Sequence, residues 1–277
     1  MIPEIFQKQL VAIAFAFTAA AATAQTAILP NAYAHNDYCH KRPLLDALDN
    51  GFTYVEADVY LRKGQLIVAH ILPCFKKKRT LEALYLKPLL EYVQGNEQNK
   101  TENRINNCPL TLMIDIKSDA NKTYAAILLL LDKYKPILSG YEDGCTTLRH
   151  VTVVLTGHKP TELVKAKDNR FVFMDEDLKN AAIDTSTNLY PIASCKYSDL
   201  LKWKGKGVIP EIELQRLEYY VTQAHKNGRK VRLWGSPENK VVWSELLRCN
   251  VDLINTDRLT SLRKFLLTDM LEVAKKD

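Results

Sequence analysis

Short apolar runs alternate with amphipathic runs of helical periodicity from residue 31 to residue 274. Apolar runs bounded by turn residues predict strands, and apolar positions spaced three and four apart predict helices. The strands are expected at 31–35, 53–61, 110–117, 150–156, 171–174, 190–194, 230–234 and 252–255. The helices are expected at 43–50, 81–93, 122–134, 160–167, 198–203, 212–227, 238–249 and 260–274. A further short strand at 66–70 follows Gly64 and predicts a hairpin beside the second strand.

The alternation of strands and helices is typical of a parallel sheet, which leaves two architectures. Eight strand–helix units within about 250 residues match a single α/β domain folded as a (β/α)8 TIM barrel. An open, doubly wound sheet is the alternative, but no Gly-x-Gly-x-x-Gly motif follows the first strand. No internal repeat or interdomain linker divides the chain, so the sequence predicts one barrel domain over residues 25–277.

The first 24 residues have the layout of a secretory signal peptide. Lys8 precedes an apolar run at 10–22, and the small residues Ala22, Thr23 and Ala24 offer a cleavage site. An N-terminal membrane anchor is the alternative interpretation of the same run. We therefore expect residues 1–24 to be removed and the mature protein to be exported, into a periplasm or the extracellular space.

Composition and charge narrow the function only slightly. The chain has 47% hydrophobic and 25% charged residues, as an ordinary globular protein does. Its formal net charge of +6 fits an anionic substrate or an acidic membrane surface, and we expect no nucleic-acid partner. The six cysteines include no Cys-x-x-Cys pair, which argues against a zinc or iron–sulfur site. They fit either buried free thiols or disulfides, with Cys39 and Cys74 as one candidate pair.

Two acidic residues share one face of the second predicted strand. Residues two apart in an extended strand point the same way, so the carboxylates of Glu56 and Asp58 point to one side. The apolar residues between and around them point to the other side. Two carboxylates in a buried strand need a cation or a proton between them. Paired oxygen ligands suit a hard divalent cation, either Mg²⁺ or Ca²⁺.

Polar residues also follow the ends of other predicted strands, where the reactive groups of a barrel collect. His35 and Asn36 end the first strand, and Asp115 and Lys117 end the third. Asp115 supplies a third carboxylate for the cation, although an ion pair with Lys117 is the simpler alternative. His70 ends the short hairpin, and a histidine there suits proton transfer.

Two further features lie near this expected rim. Trp234 ends the seventh predicted strand, where it can form an apolar wall of the pocket or only cap the core. A basic run at 76–79 follows His70 closely. Such a run fits either a solvated face or a surface that binds phosphate or an acidic membrane.

These motifs together resemble the superfamily of glycerophosphodiester phosphodiesterases and phosphatidylinositol-specific phospholipases C. They are most similar to the branch named altered inheritance of mitochondria protein six. The likeness spans residues 31–270. The segments that carry it are Ala-His-Asn-Asp-Tyr at 34–38, Val-Glu-Ala-Asp-Val at 55–59, Ala-His at 69–70, Asp-Ile-Lys at 115–117 and Asp-Leu-Ile-Asn-Thr-Asp at 252–257.

The resemblance implies a (β/α)8 barrel phosphodiesterase that depends on a divalent cation. By position it implies that the cation ligands are Glu56, Asp58 and Asp115. It also implies that His35 and His70 exchange protons with the substrate and that Lys117 contacts the phosphate. The phosphodiesterase branch has His-Arg at its first motif, whereas Asn36 follows His35 here. A phosphate-binding arginine is thus absent here. We expect Asn36, and Trp234 from its place at a strand end, to contact the substrate.

The sequence thus predicts an exported, metal-dependent phosphoric diester hydrolase that acts on a glycerophosphodiester or phospholipid-type substrate. One histidine would take a proton from the attacking hydroxyl and the other would protonate the leaving group, with His35 as base and His70 as acid or the reverse. Two alternatives remain open. One is a different metal-dependent barrel hydrolase, although the His-x-His motif common in such sites is absent. The other is a non-catalytic barrel that binds a phospholipid head group.

Overall fold

Parallel strands form the wall of a barrel in the computed structural model, which describes residues 27–71, 79–99, 109–183 and 188–269. Eight strands form the barrel, and β3, β5 and β6 lie outside it. The strands are β1 (Leu29–Ala34), β2 (Phe52–Arg62), β3 (Gln65–Val68), β4 (Leu110–Ile116), β5 (Gly140–Glu142), β6 (Cys145–Thr147), β7 (Val151–Gly157), β8 (Phe173–Asp177), β9 (Ile192–Lys196), β10 (Lys230–Trp234) and β11 (Ile254–Thr256).

Helices lie between most of the barrel strands, close to the positions predicted from periodicity. They are α1 (Leu45–Asp49), α2 (Lys87–Asn99), α3 (Ala120–Leu131), α4 (Thr161–Lys165), α5 (Tyr197–Leu200), α6 (Glu211–Lys226), α7 (Lys240–Arg248) and α8 (Leu259–Lys264). Side-chain caps mark two of the helix starts. Asp119 accepts a hydrogen bond from the amide of Lys122 at the start of α3, and Asn239 does the same for Val242 at the start of α7.

The barrel strands neighbour one another in the order β10-β9-β8-β7-β4-β2-β1-β11. A parallel bridge between Arg232 and Leu253 joins β10 to β11, so the barrel is nearly closed. The predicted (β/α)8 TIM barrel is therefore confirmed. The predicted hairpin is also present, because β3 pairs antiparallel with the end of β2. The small β5–β6 hairpin was not predicted from the sequence.

Alternation along the strands separates two apolar layers. In β4, Leu112 and Ile114 belong to the outer core between sheet and helices, whereas Met113 belongs to the barrel interior. The interior cluster consists of Tyr33, Tyr54, Met113, Val154, Phe173, Ile192 and Leu253. In β2, the residues that flank Glu56 and Asp58 face the outer core, as the two-residue period requires. Both carboxylates therefore point into the barrel.

The fifth barrel strand begins two residues later than predicted and extends through an acidic segment. Strand β8 includes Asp175, Glu176 and Asp177, which lie beyond the predicted end of the strand. Asp175 accepts hydrogen bonds from Thr156 and Ser194 inside the barrel. Glu176 forms a buried ion pair with Arg229 on the outside. Because both carboxylates have such partners, the acidic residues remain in the strand.

Several predictions concern residues outside those that the structure describes. They are the signal peptide at 1–24, the lysines at 76–78, Cys74 and Cys108. The four described cysteines are free thiols, buried at Cys195 and Cys249 but exposed at Cys39 and Cys145, so Cys39 does not form the candidate bridge. Among the described helices, none combines the length and apolar character needed to span a bilayer.

Candidate active site

Three carboxylates meet inside the barrel, near the carboxyl ends of β2 and β4. Asp58 lies directly beside Asp115 in the parallel register of these strands, and Glu56 lies two residues earlier in β2. One oxygen from each carboxylate lies within 4.8 Å of the others. Glu56 and Asp58 are almost completely buried. The structure therefore brings together all three residues predicted as metal ligands.

Several oxygens of this cluster lack hydrogen-bond partners among the described residues. Neither carboxylate oxygen of Asp58 accepts a hydrogen bond, and neither does Oδ1 of Asp115. Lys117 donates to Oδ2 of Asp115 at 2.7 Å, and its Nζ lies 3.4 Å from Oδ2 of Asp58. Burial raises the pKa of Asp58 to about 6, and burial also raises the pKa of Asp115. The two ionised groups are therefore incompletely compensated by the protein alone.

One carboxylate oxygen of Glu56, in contrast, has two hydrogen-bond donors in the barrel interior. Its Oε2 accepts a hydrogen bond from the hydroxyl of Tyr33 at 2.6 Å and one from Nη1 of Arg232 at 2.7 Å. Burial favours the neutral acid, but the charges of Arg232 and His35 and the hydrogen bonds from Tyr33 and Arg232 together outweigh it, so the pKa of Glu56 is lowered. The remaining oxygen, Oε1, faces His35, with Nε2 at 3.9 Å. Glu56 is therefore ionised and oriented before any ligand binds.

Arg232 was not identified from the sequence. It is buried in the middle of β10, where its Nε also donates to Ser194 and its guanidinium stacks over the ring of Tyr33 at 4.3 Å. A signal was present, because Arg232 lies two residues before Trp234 and must point to the same side of the strand. A charged residue on the inward face of a barrel strand requires a partner of opposite charge.

His35 follows β1 and is backed by a carboxylate. Its Nδ1 lies 2.7 Å from Oδ1 of Asp257, which follows β11. Burial alone would lower the pKa of His35, but the hydrogen bond to Asp257 and the charge of Glu56 raise it. The backbone amide of Asp257 donates to Glu238 at 2.6 Å, which holds the carboxylate in place. Asp257 belongs to a segment that carries the family resemblance, but the sequence did not assign it to the histidine.

His70 lies on the other side of the carboxylates, two residues beyond β3. The amide of Ala69 donates to the carbonyl of Asp58 at 3.2 Å, so the hairpin delivers His70 beside the cluster. Its Nδ1 lies 3.0 Å from the hydroxyl of Tyr38 and 3.4 Å from Oδ2 of Asp58. The side chain is 60% exposed, so the rest of the ring faces solvent. Both predicted histidines thus flank the carboxylates.

The remaining predicted residues occupy the same rim with different exposure. Lys117 is half-buried against the carboxylates, whereas Trp234 is 39% exposed at the end of β10, with Nζ of Lys196 5.7 Å from its ring centroid. The side chain of Asn36 turns inward and bonds to Tyr38 and Asp257. His158, which also lies on this rim, contacts the carbonyl of Ser118.

A glycine leaves the room that the third carboxylate occupies. Gly157 ends β7 with a positive φ of +71°, a conformation that glycine adopts without strain. A Cβ at this position would lie 2.1 Å from Oδ1 of Asp115 and 2.7 Å from the carbonyl oxygen of Ile116. Any other residue at this position would therefore displace the Asp115 carboxylate. The sequence contains Gly157 beside the rim, but only the structure shows this close approach.

Comparison with known proteins identifies the family of this chain. A model of the AIM6-like phosphodiesterase domain matches residues 23–175, more than half of the 277 residues. The chain is 33% identical over 281 residues to altered inheritance of mitochondria protein 6 of Eremothecium gossypii, which covers 88% of this chain and 71% of that protein. The protein of the same name from Kluyveromyces lactis is 30% identical over 314 residues, covering 88% of this chain and 74% of that protein.

The fold also has a counterpart among solved structures. It is similar to the crystal structure of a glycerophosphodiester phosphodiesterase from Parabacteroides distasonis, with a TM-score of 0.53. The sequence identity is 16%, and the alignment covers 88% of this chain and 98% of that chain. At this identity the likeness establishes the barrel fold. Together with the match to the domain model and the curated relatives, the barrel and its rim of acids and histidines place this chain in the family of AIM6-like phosphodiesterase domains.

Proposed function

We propose that the protein is a metal-dependent phosphoric diester hydrolase whose active site is the cluster of Glu56, Asp58 and Asp115 with the two flanking histidines. The observation that carries the proposal is the set of buried carboxylate oxygens on Asp58 and Asp115 that lack hydrogen-bond donors. Buried acceptors of this kind are costly unless a ligand satisfies them. The arrangement at the carboxyl ends of the strands is where barrel enzymes hold their reactive groups.

The donor set fits a hard divalent cation. Glu56 would supply Oε1, while Asp58 and Asp115 would supply their unpartnered oxygens, and oxygen ligands suit Mg²⁺ or Ca²⁺. A cation bound there would neutralise negative charge that develops on the phosphate oxygens. Arg232 keeps Glu56 ionised for this role. Lys117, which bridges Asp115 and Asp58, would add fixed positive charge beside the phosphate.

The histidines would perform the proton transfers. One would take the proton from the attacking hydroxyl, which belongs to water or to a neighbouring alcohol of the substrate. The other would protonate the departing alkoxide, so that neither oxygen carries a full charge during the reaction. His35 and His70 suit this division because each has its Nδ1 engaged by an oxygen of the protein. In each ring, Nε2 remains for the substrate.

A glycerophosphodiester or phospholipid-type substrate is the proposal for what the site cleaves. The glycerophosphodiester phosphodiesterase of similar fold supports this class. The rim supports it as well, because the exposed ring of Trp234 and the ammonium of Lys196 lie together at the edge of the site. Peripheral contact with an acidic membrane and export of the mature protein are proposed on the predicted basic run and signal peptide.

The function is tested by incubating the full chain with soluble glycerophosphodiesters and with phospholipid vesicles, followed by phosphorus NMR with and without chelator. We expect loss of the phosphodiester signal, appearance of a phosphomonoester or a cyclic phosphate, and no reaction after chelation. Binding of the head group without turnover of any diester, with metal present, would contradict an enzyme and favour the non-catalytic binding barrel.

Asp58→Asn should stabilise the metal-free protein. Folding raises the pKa of Asp58 to about 6, so ionisation at neutral pH opposes folding, and stability falls as the pH rises through this range. Removing the charge should therefore raise the free energy of unfolding by about 1–3 kcal/mol. Each kcal/mol should raise the Tm by roughly 2–4 °C. Thermal denaturation in chelator measures this. Added Mg²⁺ or Ca²⁺ should raise the Tm of the wild type but not of the variant.

Asp257→Asn is the matched control, because folding lowers the pKa of Asp257 through its hydrogen bond to His35. Its ionised form stabilises the fold, so this variant should lose stability where Asp58→Asn gains it. A metal-free Asp58→Asn protein less stable than the wild type would contradict the assignment of the cluster as a cation site.

Gly157→Ala should impair the site by moving a metal ligand. The new methyl group must displace Oδ1 of Asp115, so we expect metal affinity to fall on the order of 10–100-fold. Gly235→Ala is the control. Gly235 has a similar φ of +69°, and no atom of the described residues lies within 4 Å of a Cβ added there. Both variants should lose about 1 kcal/mol or more from backbone strain. Calorimetric titration with Mg²⁺ separates them, and equal affinities would refute the steric argument.

A further inference from the structure

A continuous chain of side-chain hydrogen bonds joins the two histidines. Nδ2 of Asn36 lies 3.3 Å from Oδ1 of Asp257, the same oxygen that bonds to Nδ1 of His35 at 2.7 Å. Oδ1 of Asn36 accepts from the hydroxyl of Tyr38 at 2.6 Å. That hydroxyl in turn lies 3.0 Å from Nδ1 of His70. The direction of each bond follows from which groups can donate.

The direction is set first at Asp257. An ionised carboxylate only accepts, so the Asn36 group that faces it must be the amide nitrogen. Nδ2 of Asn36 also lies 3.0 Å from Nδ1 of His35, but that nitrogen already donates its proton to Asp257. The charged carboxylate therefore decides the orientation, because the opposite one would place the Asn36 carbonyl oxygen against it. With Nδ2 facing Asp257, Oδ1 of Asn36 must face Tyr38. An amide oxygen also only accepts, so Tyr38 donates its single proton to Asn36.

The proton of Tyr38 is thereby used, and its oxygen can only accept from His70. Nδ1 of His70 must therefore carry the proton in their hydrogen bond. Oδ2 of Asp58 lies 3.4 Å from the same nitrogen but accepts no hydrogen bond from the described residues, so Tyr38 is the partner that fixes the proton. In a neutral imidazole only one nitrogen is protonated, so Nε2 of His70 has a free lone pair.

We propose that Asn36 and Tyr38 are positioning residues that hold His70 in the Nδ1–H tautomer and present its unprotonated Nε2 to the substrate. Free histidine favours the other tautomer, so this arrangement needs the protein. The role of the tautomer in catalysis rests on the proposed function, whereas the tautomer itself does not. Asn36 would thus act through His70, in place of the substrate contact expected from its position in the sequence.

The turn that carries Asn36 and Tyr38 is built to be rigid. Asn36 has a left-handed φ of 49°, which asparagine tolerates better than most residues. The buried carboxylate of Asp37 accepts from the amide of Leu44 at 2.6 Å and from the hydroxyl of Tyr85 at 2.9 Å. The carbonyl of Tyr38 accepts from Arg79 at 2.5 Å. These separate bonds hold the turn at more than one point.

The tautomer is measured directly by nitrogen-15 NMR of the imidazole rings, in metal-free protein without substrate, at a pH well above the usual histidine pKa. His70→Gln assigns the signals. We expect His70 to show the Nδ1–H pattern in the wild type. Tyr38→Phe removes the acceptor, and Asn36→Gly frees the Tyr38 proton to donate to His70. Both variants should shift His70 toward the Nε2–H pattern.

Tyr85→Phe is the matched control, because its hydroxyl supports the same turn without touching His70. It should leave the wild-type pattern unchanged. Asn36→Gly provides a second variant if Tyr38→Phe fails to fold, since glycine accommodates the left-handed φ. An Nε2–H pattern in the wild type, or an unchanged pattern in a folded Tyr38→Phe or Asn36→Gly protein, would overturn the proposal.

Kinetics test the catalytic consequence separately. Tyr38→Phe should lower kcat on the order of 10–100-fold with KM little changed, as for other partners that orient a reactive histidine. Tyr85→Phe should not. A kcat for Tyr38→Phe equal to that of Tyr85→Phe would remove Tyr38 from catalysis. If no phosphodiester is turned over by the wild type, the proposed function fails while the NMR result still decides the tautomer.

Discussion

His35→Ala should reduce phosphodiester hydrolysis on the order of 10²–10⁴-fold, the usual loss when a general acid or base is removed. The structure gives His35 what such a group needs. Its Nδ1 is held by Asp257 at 2.7 Å, which orients the ring, and its Nε2 points toward Glu56 at the centre of the cluster. The raised pKa of His35 also favours the protonated ring that a general acid needs.

The measurement is kcat/KM for the best diester from the phosphorus NMR panel, with saturating metal. His225→Ala is the matched control, because His225 also pairs with an aspartate, Asp252, at 2.7 Å. His225 lies in the last turn of α6 and Asp252 shortly before β11, so the pair is at the amino-terminal end of the barrel strands. His225→Ala should keep near wild-type activity. A folded His35→Ala protein that retains wild-type kcat/KM would exclude His35 from the mechanism.

Arg232→Met should destabilise the protein by about 3–5 kcal/mol, the usual cost of removing one partner from a buried ion pair. Arg232 is buried and donates to Glu56, Ser194 and Asn255, so its loss leaves a buried carboxylate without its main counter-charge. A divalent cation could then replace part of that charge. We therefore expect saturating Mg²⁺ or Ca²⁺ to raise the Tm of this variant more than that of the wild type.

Arg229→Met is the control for this experiment. Arg229 forms a buried ion pair with Glu176 on the outside of the barrel, away from the carboxylate cluster. Its loss should also destabilise the protein, but without enlarging the effect of added metal. Thermal denaturation over a metal titration measures both variants. An equal metal-dependent rise in Tm for the two variants would show that Arg232 has no special link to the cation site.

Local patterns were sufficient for the fold and for half of the site. The two-residue period of β2 placed Glu56 and Asp58 on the inward face, and their position in a barrel predicted the meeting with Asp115. The strand–helix alternation predicted all eight barrel strands, with their ends shifted by a few residues. These features depend on neighbours in the chain, so a single sequence carries them.

The supporting residues could not be derived in the same way. Arg232 and Glu56 are 176 residues apart, and His35 and Asp257 are 222 apart. Their pairing depends on the order and register in which the strands close the barrel, which periodicity does not specify. The hydrogen-bonded chain through Asn36 could not be predicted from periodicity either. It depends on the left-handed conformation of Asn36, which brings its side chain back toward the barrel.

The Glu56–Arg232 ion pair serves both the candidate active site and the stability of the barrel. A lineage that abandoned catalysis could lose the histidines at little structural cost, but the loss of Glu56 alone would leave the buried guanidinium of Arg232 without its main counter-charge. Loss of one partner should therefore be accompanied by loss of the other. In distant relatives, an acid at position 56 is therefore expected for structural reasons even without catalysis. The histidines at positions 35 and 70 are the residues that distinguish active enzymes from inactive ones.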